Sequence, residues 1–321
     1  MNLRKIPRAD LFVSEIGFGT WGIGGDSFGS VAYGKTDDQV SKLALAEALK
    51  LGVSFFDTSD FYGYGHSEHL LSSVFKNQRD KVFYATKGGL LSTTEKDFSI
   101  KHIGKAISSS LSRLQTDYID LYQLHNPNKL NTELDELIPF LQKKKKEGSI
   151  RLIGLSAENP NDAIYFIQRY PIDSIQINFN LIDQRPLESG LLELCEKNEI
   201  MVISRTPLCF GFLTDFEIDI DNLPMNDHRN LWPREQLALW KDARLKFSFL
   251  KEEFPDLSMV DIALNYCLSY PAITTVIPGI LNSDEVKMNA KVSSIEKFSK
   301  EILEKIEKTY KENTFFLARK K

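Results

Sequence analysis

Four side chains in this sequence suit proton transfer at an oxygen atom. They are Asp57 and Tyr62 in FFDTSDFYGYGHSE, Lys87 in ATKGG and His125 in YQLHNP. A free tyrosine has a pKa of about 10, too high for ready proton exchange near neutrality. A neighbouring lysine cation stabilises the phenolate and lowers that value, while an aspartate holds the lysine in place. A histidine beside them can hydrogen-bond a substrate oxygen and turn its carbonyl toward the tyrosine. Together the four suit protonation of a carbonyl oxygen as hydride reaches the carbon. No side chain donates hydride, so this chemistry calls for a nicotinamide cofactor. Singly, each residue has a plainer reading. Asp57 before Thr58 and Ser59 can cap a turn, Lys87 can be a solvated strand end, Tyr62 a packing aromatic and His125 a core histidine.

The elements that must position these groups recur regularly. Short apolar runs rich in β-branched and aromatic residues read as buried strands: 14–20, 53–59, 81–87, 119–125, 150–156, 174–180, 200–208 and 272–279. Amphipathic stretches with capping residues and terminal glycines lie between them, as at 36–52, 100–115, 132–148 and 188–198. Eight strands alternating with helices predict a parallel sheet closed into a (β/α)8 TIM barrel. The opening LRKIPRADLFVSEIG reads as an N-terminal β-hairpin outside the alternation, and the chain end as a helical or loop extension. Residues 207–271 are too many for one crossover and predict a loop insertion beside a helix. No linker interrupts the pattern, so residues 1–321 read as a single barrel domain. Asp57, Lys87 and His125 end consecutive strands, with Tyr62 in the loop after the first, and active sites of such barrels lie at those ends.

Other functions find little support. With 40 basic and 44 acidic side chains, the net charge of −4 draws the chain toward neither nucleic acid nor an anionic membrane. The lysine run 143–146 falls on the polar side of a helix near its C-terminus, where cations complement the dipole. No apolar run approaches the roughly 18 residues of a membrane span, and the first residues lack a signal-peptide core. Cys195, Cys209 and Cys267 are far apart and odd in number, which argues against a disulfide scaffold and fits a reducing cytoplasm. His66 and His69 lack a third metal ligand at suitable spacing. Gly17, Gly19 and Gly22 satisfy GxGxxG, but the residues that follow cannot form the helix a dinucleotide fingerprint needs. The glycine run reads instead as a loop whose missing side chains let a ligand approach the backbone.

In FFDTSDFYGYGHSE, ATKGG, RLQTDYIDLYQLHNP, GSIRLIGLS, IQINFNLID, PLCFGFLT and VIPG, the sequence resembles the aldo-keto reductase superfamily over essentially its whole length. The resemblance implies a (β/α)8 barrel with an N-terminal hairpin and a catalytic tetrad of Asp57, Tyr62, Lys87 and His125, Tyr62 being the general acid/base. It implies that Ser156 and Gln176 bond the nicotinamide carboxamide and that Arg205 stands where many members stack a tyrosine on the ring. Pro207, Leu208, Gly211 and Leu213 match the stretch over the pyrophosphate, and Gly279 and Asn289 the adenosine end. Gly19, Thr20 and Trp21, with Asp57, complete the implied cofactor groove. Ala157 replaces an asparagine common after the serine.

In PGILNSDEVKMN, NADPH-using relatives place an arginine or lysine for the 2′-phosphate. This sequence has Leu281 and Glu285 there, with Lys287 as the remaining cation. A carboxylate repels a phosphate dianion yet accepts hydrogen bonds from ribose hydroxyls, so both NADP(H) and NAD(H) stand as cofactors. Trp21, Phe28, Tyr64 and Trp232 are expected to line the substrate pocket, with Phe210 as a further candidate. The expected function is NAD(P)H-dependent interconversion of an aldehyde, ketone or sugar carbonyl with its alcohol. The alternative is a cofactor-sensing regulatory subunit with little turnover. The expected partner is a small carbonyl or sugar molecule, with neither nucleic acid nor membrane; monomer and homo-oligomer both stay open.

Overall fold

The computed structural model describes residues 1–25, 32–92 and 94–317. The chain opens with an antiparallel hairpin, β1 (Leu3–Lys5) and β2 (Phe12–Ser14). Eight parallel strands follow: β3 (Phe18–Gly19), β4 (Phe55–Asp57), β5 (Phe83–Gly88), β6 (Ile119–His125), β7 (Ile150–Ser156), β8 (Ser174–Asn178), β9 (Met201–Arg205) and β10 (Ile273–Ile277). Each pairs with its neighbour in chain order. The ring closes where Gly17 N–H donates to Val276 (2.8 Å) and Gly19 N–H to Pro278 (2.9 Å). The helices are α1 (Asp38–Lys50), α2 (His66–Phe75), α3 (Ile100–Leu114), α4 (Leu134–Lys146), α5 (Pro160–Arg169), α6 (Arg185–Glu188), α7 (Leu191–Lys197), α8 (Arg234–Lys246), α9 (Ser248–Glu253), α10 (Met259–Leu268), α11 (Ser283–Ala290) and α12 (Lys300–Glu312). This is the (β/α)8 barrel that the alternation predicts. Residues 207–271 carry the expected loop insertion, over 207–233, followed by three helices, α8, α9 and α10, where one was expected.

Strand pleating explains how the barrel sorts its side chains. Phe55, Phe83, Ala85, Leu121, Leu152, Met201, Ile203 and Ile277 form a buried cluster separate from the larger one that includes strand and helix side chains. They recur with the period of two that keeps residues on one face of a strand. Ile6 and Val13 of the hairpin belong to the same cluster, so the hairpin plugs one end of the barrel. The same period continues toward the strand ends, through 55 and 57 on β4, 83, 85 and 87 on β5, and 121, 123 and 125 on β6. Hydrophobic lower layers thus set the direction of Asp57, Lys87 and His125 before any polar interaction acts.

Among the described residues no helix is long and apolar enough to cross a membrane, and the lysines of 143–146 occupy the last turn of α4. Lys144 and Lys145 pair there with Glu147 (2.8 Å) and Asp173 (2.7 Å). The three cysteines are buried and unpaired.

Candidate active site

At the open end of the barrel lies a cleft of about 660 Å³, lined among others by Trp21, Asp57, Tyr62, His125, Gln176, Arg205 and Gly279. Lys87 is wholly buried beneath it. Its Nζ donates to Asp57 Oδ1 (2.5 Å), to the Thr58 carbonyl (2.9 Å) and to the Tyr62 hydroxyl (3.2 Å). These three bonds use all three protons of the ammonium. Asp57 Oδ2 accepts from the side-chain amides of Gln176 (2.7 Å) and Gln123 (3.2 Å), so the buried carboxylate is fully solvated by protein. His125 stands edge-on to the Tyr62 ring, with 6.0 Å between centroids. Its Nδ1 lies 3.2 Å from Ser59 Oγ.

The loop after β4 brings Tyr62 over Lys87 through a short 3₁₀ turn, Tyr62–Gly65. Gly63 has φ +58°, and a Cβ there would lie 2.3 Å from the Gly24 carbonyl oxygen. Only glycine meets both demands. Gly22, Gly24 and Gly19 serve similarly, since a Cβ on each would strike Leu281, the Gly63–Tyr62 backbone or Pro278. At these glycines other segments of the protein approach closely, and Gly19 also lines the cleft.

Burial and charge act against each other at this floor. Burial raises the Tyr62 phenol, Lys87 and its hydrogen bond oppose it, and the net value lies above the usual tyrosine range. The lysine has the expected sign but does not prevail over burial. Burial works to lower the Lys87 ammonium, yet Asp57 and Tyr62 carry it above its ordinary value. Burial, reinforced by the cations of Lys87, Arg205 and Lys96, holds His125 well below its usual value, so the imidazole is neutral at physiological pH.

Of the other expected residues, Gly19, Pro207, Leu208, Phe210, Gly211, Glu285 and Asn289 line the cleft. Ser156 lies just below, its hydroxyl 3.1 Å from Asn126 Oδ1 and 3.4 Å from Gln176 Oε1. Arg205 donates to the Ala157 carbonyl (3.0 Å). Several residues stand elsewhere. Thr20 is buried, bonding the Asp57 carbonyl (2.8 Å) and Ser67 (2.5 Å), and so ties the end of β3 to β4 and α2. Leu213 is buried in the core, leaving only its backbone for any ligand. Tyr64 is 49% exposed and lines a side cavity instead. Trp232, 40% exposed, packs on Trp240 (4.9 Å between centroids) behind Phe210. Phe28 lies outside the described residues. Lys287 turns to Asp284 (3.1 Å) and does not line the cleft. His66 bonds Asp38 (2.9 Å).

The cleft also contains Phe61, Leu90, Asn178, Tyr33, Asp227 and Arg229, none of them anticipated. Asn178 follows Gln176 by two on β8, so strand alternation alone would have placed it on the same face. Phe61 adjoins Tyr62 in sequence. Asp227 and Arg229 carried no local signal: they reach the cleft because 227–228 pairs with 32–33 across it, His228 N–H donating to Ala32 (2.8 Å).

A sequence model of the aldo/keto reductase family matches residues 15–311. The chain is 31% identical to the uncharacterized oxidoreductase YqkF of Bacillus subtilis over 321 residues, covering 98% of each. It is 28% identical to the NADH-specific methylglyoxal reductase of Escherichia coli, covering 91% of this chain and 94% of that one. Among solved structures, the holo form of aldo-keto reductase AKR11C1 from Bacillus halodurans superposes with a TM-score of 0.78 at 29% identity, covering 99% and 98% of the two chains. Fold, strand-end cleft and a match spanning nearly the whole chain agree, and the protein belongs to the aldo/keto reductase family.

Proposed function

We propose that this protein is an NAD(P)H-dependent oxidoreductase that interconverts the carbonyl of an aldehyde, ketone or sugar with its alcohol. The observation that carries the reading is the Tyr62 hydroxyl, 3.2 Å from a buried Lys87 that is itself held by Asp57, beside a neutral His125 on the cleft wall.

The cleft suits a nicotinamide dinucleotide on its own chemistry. Asn178 Oδ1 and Arg205 Nε are buried on its wall and find no hydrogen-bond partner among the described residues. A carboxamide offers both a donor and an acceptor to such groups. Nothing lies within 4 Å of where a Cβ on Gly279 would stand, so that wall is open. Gln176, Asn178 and Arg205 would hold the nicotinamide end, residues 207–211 the pyrophosphate, and Gly279, Glu285 and Asn289 the adenosine end. The bound cofactor supplies or accepts the hydride that no side chain can.

The chain's own residues handle the proton. In reduction, the Tyr62 hydroxyl protonates the carbonyl oxygen as negative charge grows there. Lys87 stabilises the resulting phenolate, and its fixed bonds to Asp57 and Thr58 spare the site any reorganisation at that moment. In oxidation, the phenolate takes the proton back. His125 orients the substrate oxygen from the other side, and Trp21, Phe61, Leu90 and Phe210 form an apolar wall around the reacting carbon. This arrangement favours turnover over a cofactor-sensing regulatory role, because neither the Tyr62–Lys87 contact nor its aspartate is needed simply to bind a nucleotide.

At the adenosine end, Glu285 accepts from Leu281 N–H (2.8 Å) and from the Asn282 amide (2.9 Å). With Lys287 turned outward, Leu281, Glu285 and Asn289 offer a 2′-phosphate no cation, and Arg229 on the same cleft wall is paired with Asp227 (2.6 Å). We read this as loss of the usual NADPH advantage. Purified protein supplied with NADH or NADPH and a panel of aldehydes, ketones and sugars tests the proposal through nicotinamide absorbance. Turnover of an aldehyde or sugar is expected. No turnover with either cofactor over the whole panel refutes it and leaves the regulatory reading.

A further inference from the structure

Beside the cleft, and sharing Phe61 and Leu90 with it, lies a second cavity of about 270 Å³. Asp60 lines it, with Tyr64, His102, Lys105 and Arg113. The mechanism above uses none of these side chains. Yet Asp60 is joined to the site through one buried hydroxyl. Ser59 Oγ lies 3.3 Å from Asp60 Oδ1 and 3.2 Å from His125 Nδ1, and it accepts a third bond from Phe61 N–H (3.1 Å).

We propose that Asp60 and Ser59 are positioning residues that set which nitrogen of His125 carries the proton, and so whether His125 can donate to the substrate oxygen. The inference rests on the reading that His125 faces that oxygen. A hydroxyl has one proton and two lone pairs, and Phe61 N–H occupies one lone pair permanently. The Ser59 hydroxyl also lies 3.4 Å from the Lys87 carbonyl, but a proton turned there leaves Asp60 or Nδ1 without its bond, and two arrangements satisfy Asp60, His125 and Phe61 together. With Asp60 protonated, its carboxyl donates to Ser59 Oγ, and the Ser59 proton goes to His125 Nδ1. Nε2 then carries the imidazole proton and donates to a carbonyl oxygen, as reduction requires. With Asp60 ionised, Ser59 donates to Asp60 and accepts from Nδ1–H. Nε2 is then bare and can no longer donate to the substrate oxygen, whose single hydroxyl proton, in an alcohol, goes to the Tyr62 phenolate. The two states differ by one proton. Moving the carboxyl proton to Ser59, the hydroxyl proton to Nδ1 and the Nε2 proton to the cleft converts one into the other, with the imidazole neutral throughout.

The surroundings place this exchange in a useful range. Burial, followed by the Glu68 carboxylate on α2, raises Asp60. Arg113 on α3 and the bonds from Ser59 and Phe61 oppose, and the value is pushed up to about 7. Arg113 is largely committed to Glu68 (2.6 Å). Tyr122 on β6 faces the same pair of carboxylates with its hydroxyl unbonded among the described residues. Lys105 and His102 on α3 line the cavity's remaining wall. On the other side of Ser59, burial, reinforced by the cations of Lys87, Arg205 and Lys96, keeps His125 from becoming imidazolium.

The test is nitrogen-15 NMR of histidine-labelled protein, with the His125 signals assigned by their loss in His125→Asn. Between about pH 5 and 9, wild type should pass from the Nε2–H to the Nδ1–H tautomer with a midpoint near 7. Asp60→Asn and Ser59→Ala should each remove that transition. In kinetics, wild-type kcat for reduction of the best substrate should fall about tenfold across the same midpoint, the worth of one hydrogen bond. The fall should be absent in both variants. A His125 held in one tautomer throughout in wild type overturns the proposal, as does a transition that survives Ser59→Ala. The NMR result does not depend on turnover, so failure of the relay and failure of the oxidoreductase reading are read separately.

Discussion

Replacing Lys87 by Met tests the floor of the cleft most severely, because the ammonium is wholly buried and all its protons are used. Met fills a similar volume without the charge. Two losses follow. First, Asp57 is left as a buried carboxylate with only the Gln123 and Gln176 amides. Breaking a buried pair from one side costs about 3–5 kcal/mol. Second, the Tyr62 phenolate loses a cation 3.2 Å from its oxygen. Coulomb's law at an effective dielectric of about 20 puts that interaction near 5 kcal/mol. Asp57, bonded to the same ammonium, offsets part of it, and we expect a rise of about 1–2 pKa units, or roughly 10- to 100-fold in phenolate population. The direction is fixed, since burial already holds Tyr62 above its usual value and Lys87 is the largest opposing influence. The assays are urea unfolding, and the pH dependence of alcohol oxidation with the cofactor saturating. The alkaline limb should move up in pH and the plateau should fall. Adding Asp57→Asn should recover part of the stability, because no unpaired charge remains, but none of the activity. If Lys87→Met unfolds within about 1 kcal/mol of wild type and the limb does not move, the electrostatic account of the floor is wrong.

Tyr62→Phe removes only the hydroxyl, so carbonyl reduction should fall by about 10²–10⁴-fold while cofactor affinity, followed by tryptophan fluorescence, stays within about twofold. Retention of half the wild-type kcat would exclude Tyr62 as the acid. Glu285→Arg should favour NADPH over NADH by roughly 10- to 150-fold relative to wild type; a wild type that already prefers NADPH a hundredfold would contradict the reading. The same substitution removes the carboxylate that bonds Leu281 N–H and Asn282 at the start of α11, so it should cost about 1 kcal/mol in unfolding experiments. Gly63→Ala meets both a positive φ and the Gly24 carbonyl oxygen. Thermal unfolding should show a loss of at least about 1 kcal/mol, and kcat should fall as the Tyr62 loop is displaced; an Ala variant with wild-type Tm and kcat would show that the close approach is dispensable.

Much of this protein is legible in its residues because the information is local. The eight strands, the opening hairpin and the ends of helices such as α1 and α3 follow from apolar periodicity, capping residues and glycines, all of which act within a few positions along the chain. The directions of Asp57, Lys87 and His125 are equally local, since a strand residue shares a face with the one two before it, and Phe55, Ala85 and Gln123 face the barrel interior. Tertiary structure decided what depends on distance through space. It alone put Asp227 and Arg229 on the cleft wall, through pairing with a segment nearly two hundred residues away in sequence. It turned Tyr64 and Trp232 out of the cleft, because the strained turn at Gly63 and the packing of Trp232 on Trp240 fix their directions. It also set the balance at Tyr62. The sequence supplies a lysine that lowers a phenol's pKa, but the depth of burial that outweighs the lysine comes from closure of the whole barrel, which no neighbouring residue records.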